Sequence, residues 1–366
     1  MGFKCAIVGL PNVGKSTLFN ALTLSKAEAQ NFPFCTIEPN TGIVPVPDPR
    51  LDLIAEKIKT EKIIPTTMTF VDVAGLVKGA SQGEGLGNQF LGHIRETQAI
   101  AHVVRCFDDN NIIHVDGSVD PIRDVSIIEL ELIFADLESL SKKFNQTEKL
   151  AKTGQKDAAK LYGILLNIKH HLEKGLSIRS LALEDHERLA IRDFHFLTVK
   201  QTVYIANIDE ASLQNLEANK HYMALANYAK EQRATIIPIC ARIECEISEL
   251  GPEEQKSFLA DYHMTEPGLH RVIRSGYELL GLRTYFTAGP KEVRAWTIRS
   301  GAKAPEAAGV IHSDFERGFI RAETYNVQDL AQYHTELGVR EAGKLRVEGK
   351  EYEVQDGDIL HFRFNV

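Results

Sequence analysis

The sequence has few cysteines, and their spacing is typical neither of cross-links nor of metal binding. Its 366 residues contain five cysteines, and no two of them form a CxxC pair. This pattern excludes a disulfide framework and offers no zinc-binding signature. A chain of this length is large enough for two or three domains, each of which can bury an apolar core without covalent staples.

Long apolar runs and an excess of basic charge are also lacking. No stretch approaches the length of a membrane-spanning helix, and the N-terminal residues enter a folded motif directly, which leaves no room for a signal peptide. We therefore expect a cytoplasmic protein that makes no membrane contact. The formal net charge is -8, so any contact with nucleic acid has to come from a local basic patch.

A phosphate-binding loop is the strongest local signal in the chain. Residues 9–17 have the sequence GLPNVGKST, which fits the pattern G-x4-G-K-[ST]. The motif follows an apolar run, Lys4–Val8, and precedes a helical segment, as a P-loop requires. Its backbone N–H groups would point at phosphate oxygens, and Lys15 would contact the β- and γ-phosphates. The residues expected to bind the nucleotide here are Asn12, Val13, Gly14, Lys15, Ser16 and Thr17.

Three side chains are candidates for binding Mg²⁺. Ser16 follows the P-loop lysine, and Asp72 lies near the end of a second apolar run with the sequence DVAG, which fits the DxxG pattern of a switch loop. Thr36 lies where a first switch would supply a second hydroxyl, although an ordinary solvated threonine is the alternative. Gly75 would sense the γ-phosphate.

The order of predicted elements indicates an α/β fold with two additions. Strand-like runs separated by helices predict a doubly wound, mostly parallel sheet. A long interval between Phe107 and Val203 contains apolar residues at spacings of three and four, which predicts a helical hairpin. Short runs broken by turn signals predict a β-rich C-terminal domain. The predicted domains are a nucleotide-binding domain at 1–123 and 198–281, the inserted hairpin at 124–197, and the β-rich domain at 282–366.

These motifs together resemble the Obg-related GTPases and, among them, the YchF (Obg-like ATPase) family. The resemblance extends over essentially the whole chain and rests on GLPNVGKST, NFPFCTIEPN, VDVAGLVKGASQGEGLGNQFLGHIRE and the C-terminal GKEYEVQDGDILHFRFN. It implies a coiled-coil insertion, a TGS-like β-grasp domain at the C-terminus, and a role for nucleotide-dependent switch loops in translation or a stress response.

The base-recognition segment departs from that of guanine-specific relatives. Those proteins have Asn-Lys-x-Asp where this chain has NIDE at 207–210. Ile208 replaces the lysine that would cover the base, and Glu210 is one methylene longer than the aspartate that pairs with guanine, so guanine selectivity should be lost. The family resemblance implies ATP over GTP. Asp209 offers the alternative, because a one-residue shift would keep GTP. The residues expected at the base are Asn207, Ile208, Glu210 and Ala241.

The residue that activates water is not the usual one. A glutamine follows the DxxG glycine in familiar GTPases, but this chain has Leu76, which cannot hydrogen-bond water. His114, in the loop after the Phe107 strand, is the candidate we favour, and the family resemblance points to the same histidine; a surface histidine is the alternative. Lys15 and Gly75 complete the predicted catalytic set.

Asn12 predicts a dependence on K⁺. In related potassium-stimulated members an asparagine at this position coordinates a monovalent cation between the phosphates, supplying charge that an arginine finger otherwise brings. A surface polar residue is the alternative.

The predicted hairpin is basic although the whole chain is acidic. Between residues 142 and 174 there are eight lysines and three acidic residues. A solvated helical face is one explanation, and salt-sensitive attraction to phosphate is the other. The family resemblance favours binding to the ribosome (50S or 70S) or RNA through the Lys142–Lys160 tip and the C-terminal domain, by a protein that is mainly monomeric.

Three functional hypotheses follow. The leading one is a ribosome-associated ATPase. The others are a GTP-specific factor in translation or ribosome assembly, and a nucleotide-gated protein-binding module with negligible turnover. Cys35, beside the presumed switch residue Thr36, would be an oxidation-sensitive position if the family's association with stress applies.

Overall fold

The computed structural model describes residues 3–24, 40–73 and 86–365. Four residues of the sequence predictions, Cys35, Thr36, Gly75 and Leu76, lie outside these described residues.

The chain folds into two compact units. The first comprises residues 1–44 and 69–272, and the second comprises 45–68 and 273–366. The strands are β1 Lys4–Val8, β2 Thr41–Pro45, β3 Ile63–Ile64, β4 Thr67–Asp72, β5 Ala99–Arg105, β6 Gln201–Asn207, β7 Thr235–Ile239, β8 Leu282–Ala288, β9 Val293–Arg299, β10 Phe319–Asn326, β11 Arg346–Glu348 and β12 Asp358–Phe364. The α-helices are α1 Lys15–Leu24, α2 Pro49–Ile58, α3 Leu86–Arg95, α4 Pro121–Lys152, α5 Lys156–Glu173, α6 Asp185–Ile191, α7 Lys220–Glu231, α8 Ala241–Glu249, α9 Pro252–Asp261, α10 Gly268–Leu279, α11 Ala304–Ile311, α12 Ser313–Arg317, α13 Val327–Tyr333 and α14 Glu336–Glu341.

The first unit contains a six-stranded sheet with the order β2-β4-β1-β5-β6-β7. The pairs β1–β4, β1–β5, β5–β6 and β6–β7 are parallel. Every residue of β5 is buried, as is typical of a parallel strand covered on both faces. Because the chain continues to opposite sides of β1, the carboxyl ends of β1 and β5 form the switch point at which such sheets bind ligands. The predicted mostly parallel sheet is confirmed.

The predicted helical hairpin is also present, as α4 and α5. Asp120 caps α4, because its carboxylate accepts the N–H groups of Ile122 and Arg123. The two helices pack through apolar residues that recur every three or four positions, and the shared core includes Ile133, Leu140, Leu165, Ile168 and Leu172. Among the described residues, no helix is both long enough and apolar enough to cross a membrane.

The second unit has its own six-stranded sheet with the order β11-β10-β12-β8-β9-β3. Successive residues face opposite sides of this sheet. Phe286 and Ile359 belong to a core with α2 and α13, whereas Tyr285 and Leu360 belong to a core with α11. Two apolar layers therefore stabilise this unit, one on each face of the sheet.

Two features of the second unit differ from the sequence expectations. Residues 45–68, which the sequence assigned to the nucleotide-binding domain, contribute β3 and α2 here: β3 pairs with β9, and Leu51 and Ile54 enter the core. Residues 352–354, one of the short runs that predicted the β-rich domain, make only an isolated bridge, between Glu353 and Lys303. A two-residue strand and a bridge are too short to show a period in the sequence.

Candidate nucleotide-binding site

The loop between β1 and α1 has the backbone conformation that its glycines predict. Gly9 and Gly14 have φ values of 155° and 98°. A Cβ atom at Gly9 would lie 2.4 Å from the Val103 carbonyl oxygen, and one at Gly14 would lie 2.3 Å from Asn207 Nδ2. Glycine is required at both positions because the loop passes so close to its neighbours. The loop therefore joins β1 to α1 as a phosphate-binding loop does.

Buried Lys15 and half-buried Asp72 form the charged part of this site. Lys15 Nζ donates to the Leu10 carbonyl oxygen at 2.6 Å, and burial lowers the pKa of Lys15 to about 8 although Asp72 opposes the shift. Burial raises the pKa of Asp72, and the charge of Lys15 opposes that shift. Asp72 Oδ1 is buried and forms no hydrogen bond within the described part of the chain. Such an orphaned oxygen is an acceptor suited to a cation.

The hydroxyl groups predicted to lie near the phosphates are in the first turn of α1. Ser16 and Thr17 are both exposed there, whereas Val13 is buried just before the helix begins. The positive end of the helix dipole adds to the electrostatic attraction for phosphate at this turn.

Asn207 connects the P-loop to the base-recognition segment. Its Nδ2 donates to the Val13 carbonyl oxygen at 2.9 Å, and its Oδ1 accepts the N–H of Ala241 at 3.0 Å. Ala241 is the first residue of α8, so one side chain fixes the P-loop against the helix that follows β7. The predicted contact residues Asn207 and Ala241 are thus brought together with Val13.

A cavity of about 530 Å³ lies beside these groups. Ile208 lines it but is only 1% exposed, and its N–H donates to the Ile239 carbonyl oxygen at 2.8 Å. Asp209 and Glu210 are exposed at the rim. The cavity is lined by Asn12, Gly14, Thr17, Phe107, Asp109, Ile112, Asn207, Ile208, Asp209, Glu210, Ala211, Cys240, Ala241 and Arg242.

The two carboxylates at the rim have different partners. Asp209 Oδ1 accepts the N–H of Ser212 at 2.8 Å, which caps the short turn after β6. Glu210 Oε1 accepts the hydroxyl of Tyr262 at 2.6 Å. Each residue therefore has one carboxylate oxygen engaged within the protein.

The loop after β5 forms another part of the cavity wall, and Arg105 holds it in place. The Arg105 guanidinium is 2% exposed and donates to the carbonyl oxygens of Phe107, Asp109 and Ile112 at 3.0, 3.1 and 2.9 Å. Asn12 Nδ2 in turn donates to the Ile113 carbonyl oxygen at 3.1 Å. Arg105 was not predicted, because an arginine in a buried strand gives no sign of which carbonyl groups it will bind.

His114 lies in this loop as a buried residue rather than a surface one. Its Nε2 lies 2.8 Å from Asp124 Oδ2, and its Nδ1 accepts the N–H of Asp116 at 3.2 Å. Because Nδ1 is an acceptor, the ring proton of the neutral form is on Nε2 and is donated to Asp124. Asp124, in the first turn of α4, was not predicted. An acidic residue at the start of a helix is already explained by its favourable interaction with the helix dipole, so nothing in the sequence indicated a contact with His114.

The glycine loop between β1 and α1 lies at the carboxyl edge of a parallel sheet, and Lys15 and Asp72 supply its charged groups. This arrangement is that of a P-loop nucleoside triphosphatase. A family model described as "50S ribosome-binding GTPase" matches residues 4–135, and the model YchF-GTPase_C, described as "Protein of unknown function (DUF933)", matches 282–365. The chain is 58% identical to the Ribosome-binding ATPase YchF of Haemophilus ducreyi and 52% identical to that of Bacillus subtilis, with all of each chain covered. It belongs to the YchF family.

The fold agrees with this membership. A solved structure of the Schizosaccharomyces pombe YchF GTPase matches with a TM-score of 0.90 at 40% identity, covering 99% of this chain and 98% of that one. The family resemblance and the fold class predicted from the sequence are both confirmed.

Proposed function

We propose that this protein is a ribosome-associated enzyme that binds and hydrolyses ATP in preference to GTP. One observation carries the preference for ATP: the segment that would recognise guanine has no lysine, and each of its two acidic side chains already has one carboxylate oxygen engaged within the protein. Ile208 is buried in the cavity wall, and Asp209, the residue that could have replaced the missing aspartate, caps Ser212. A site that does not pair with the polar edge of guanine loses the selectivity that such pairs provide.

Mg²⁺ would be held by Ser16 and Asp72, with Thr36 as a further ligand from the first switch. The orphaned, buried Oδ1 of Asp72 and the exposed hydroxyl of Ser16 are oxygen ligands of the kind this ion prefers. When bound, the ion would neutralise charge on the β- and γ-phosphates. Gly75, in the second switch, would sense whether the γ-phosphate is present.

Lys15 and His114 would carry the catalytic work of this chain. Lys15 stabilises the charge of the transferred phosphoryl group. His114 would orient the attacking water, which requires that one ring nitrogen give up its present partner, Asp116 or Asp124. The loop that carries His114 also contacts Asn12 of the P-loop, so a rearrangement of the loop is linked to the phosphate site.

Asn12 would provide a site for K⁺. Its amide nitrogen is used by the Ile113 carbonyl oxygen, which leaves the amide oxygen to face a cation. Asn12 has a φ of 60°, a left-handed backbone conformation that asparagine adopts more readily than most residues.

Association with the ribosome is supported by the names of the relatives and by charge. Six lysines at the tip of the hairpin are exposed, and two of them pair only with glutamates one turn away on the same helix: Lys142, Lys143, Lys149, Lys152, Lys156 and Lys160. Such surface pairs are weak, so five of these lysines remain available to phosphate, whereas Lys143 lies over the Phe194 ring, with its Nζ 4.5 Å from the ring centre. The C-terminal unit would act as a TGS-like partner, in a monomeric cytoplasmic protein.

Equilibrium titration with fluorescent ATP and GTP analogues in Mg²⁺ tests the preference for ATP. We expect tighter binding of ATP, and tighter binding in K⁺ than in Na⁺. Tighter binding of GTP would instead support the alternative, a GTPase, which is the word used in the names of the yeast structure and of the N-terminal family model.

A further inference from the structure

The contact between Glu210 and Tyr262 joins the rim of the nucleotide cavity to a neighbouring element. Tyr262 is the first residue after α9, and its hydroxyl donates to Glu210 Oε1 at 2.6 Å. Glu210 lines the nucleotide cavity, whereas Tyr262 lines a second cavity, of about 590 Å³, which shares Ile208 with the first. Tyr262 thus contacts a residue of the nucleotide cavity without lining that cavity itself.

The ring of Tyr262 is held independently of this hydrogen bond. It stacks on Phe258 with ring centroids 5.0 Å apart and an interplanar angle of 27°. Both rings pack against a small core that contains Cys240, Ile243 and Ile247 of α8 and the residue just before it. The phenol oxygen is therefore presented to Glu210 by a packed element.

The Tyr262 hydroxyl is the donor and the Glu210 carboxylate is the acceptor of this hydrogen bond over the physiological pH range. The bond to the Glu210 carboxylate raises the pKa of Tyr262 to about 12, because the carboxylate favours the neutral phenol. A phenol that donates to a carboxylate makes a short, charge-assisted bond, and such bonds are stronger than neutral ones. Tyr262 therefore remains a donor to Glu210 throughout the physiological pH range.

This contact changes what Glu210 offers to a base. Guanine presents two adjacent donors, N1–H and the N2 amine, and recognition of both requires the two oxygens of one carboxylate. Oε1 of Glu210 already accepts the Tyr262 hydroxyl and keeps one lone pair, whereas Oε2 forms no hydrogen bond among the described residues and is the freer acceptor. One free acceptor oxygen suits a single donor, such as the exocyclic amine of adenine, better than the paired donors of guanine.

We propose that Tyr262 is a positioning residue for nucleobase selection, which holds Glu210 in an arrangement that accepts one hydrogen bond from adenine and pairs less well with guanine. This inference rests on the proposed preference for ATP and assigns part of it to a residue outside the NIDE segment. Without the phenol, Glu210 can turn both oxygens toward the cavity and accept guanine better.

The test compares Tyr262→Phe with the parent in equilibrium titrations of fluorescent ATP and GTP analogues. The substitution keeps the ring on Phe258 and removes only the hydroxyl. We expect the ratio of the GTP Kd to the ATP Kd to fall about threefold, mainly through tighter GTP binding, because a hydrogen bond to a charged group is weak where it is exposed to solvent. Tyr162→Phe, on α5 in the hairpin, is the matched control and should keep the parent ratio.

A double-mutant cycle with Glu210→Ala shows whether Tyr262 acts through Glu210, because alanine removes the acceptor of the Tyr262 hydroxyl. If it does, adding Tyr262→Phe to Glu210→Ala should leave the ratio unchanged. A parent that prefers GTP would overturn the proposed function itself. A parent that prefers ATP, together with an unchanged ratio in Tyr262→Phe, would overturn only the role of Tyr262.

Discussion

Burial of the P-loop lysine determines how the site should respond to pH. The environment of Lys15 lowers its pKa to about 8 from the usual 10.5, with loss of hydration as the main cause. The protonated form is the one that attracts phosphate. The affinity for nucleotide should therefore begin to fall above about pH 8, whereas with an exposed lysine it would begin to fall only near the usual pKa of 10.5.

We expect the Kd for ATP to be nearly constant below pH 8 and to rise as pH increases above it, approaching tenfold per pH unit because each unit removes most of the remaining protonated lysine. Titrations between pH 6.5 and 9.5 would measure this. Lys15→Arg should bind more weakly but without this slope, since arginine stays charged. A parent Kd that is flat up to pH 9.5 would contradict the account.

The buried pair of His114 and Asp124 gives a second prediction for single residues. His114→Ala should lower turnover about 100-fold, the range of one general acid–base group, while the Kd for ATP changes by less than about threefold. Single-turnover kinetics and titrations would separate the two effects. His186→Ala removes an exposed histidine of α6 and serves as the control. Equal turnover in His114→Ala and the parent would remove His114 from the mechanism.

Most of the site residues predicted from the sequence belong to short motifs. The P-loop and the NIDE segment each place several residues in a fixed local order, and the structure brings Val13, Asn207 and Ala241 together. Asp124 and Tyr262 could not be predicted, because their roles depend on partners ten and fifty-two positions away. No local pattern records a contact of that kind.

Among the elements, the loop after β5 depends on one side chain. Arg105 binds three of its carbonyl oxygens and also lies over the Phe107 ring, 4.6 Å from the ring centre. The planar guanidinium can serve three acceptors in one plane, whereas an ammonium group cannot. The loop in turn supplies Phe107, Asp109 and Ile112 to the cavity wall.

Arg105→Lys should therefore weaken nucleotide binding while it preserves the charge. We expect the ATP Kd to increase about tenfold, and the free energy of unfolding to fall by about 1–3 kcal/mol because buried carbonyl groups lose donors. Titration and urea unfolding would measure the two changes. Arg192→Lys, at an exposed site, is the control and should alter neither. Parent-like binding by a folded Arg105→Lys protein would show that the loop does not need this residue.

The elements themselves were largely predictable. The apolar run Lys4–Val8 corresponds to β1, and the helical spacing in the insertion corresponds to α4 and α5. The contribution of α2 and β3 to the second unit was not predictable, because the sequence order places them between two strands of the first sheet. The pairing of β3 with β9 and the packing of α2 in the core of the second unit reveal it.

For the whole molecule, the distribution of charge matters more than its total. The chain carries a net charge of -8, yet the hairpin tip is basic and exposed. A polyanionic partner would be attracted to the tip and repelled elsewhere, which favours one orientation of binding.

Replacing Lys149, Lys156 and Lys160 by glutamate should weaken cosedimentation with ribosomes at least tenfold and reduce its dependence on salt. Turnover of ATP without ribosomes should stay within about twofold, since the lysines lie in the insertion. Glutamate at Lys220, Lys230 and Lys256, three exposed lysines of the first unit outside the hairpin, is the matched control for net charge. Unchanged cosedimentation of the tip variant would exclude the hairpin tip as the contact.

Competing hydrolysis of ATP and GTP measures the substrate preference of the enzyme. The two nucleotides would be supplied together at equal concentration with Mg²⁺ and K⁺, and the kcat/KM ratio would be read from the initial rates, with Lys15→Ala as the control for contaminating activity. We expect a ratio that favours ATP by at least about tenfold, since the polar pairs that select guanine are missing. A ratio that favours GTP, with the GTP hydrolysis abolished by Lys15→Ala, would show that the enzyme is a GTPase instead.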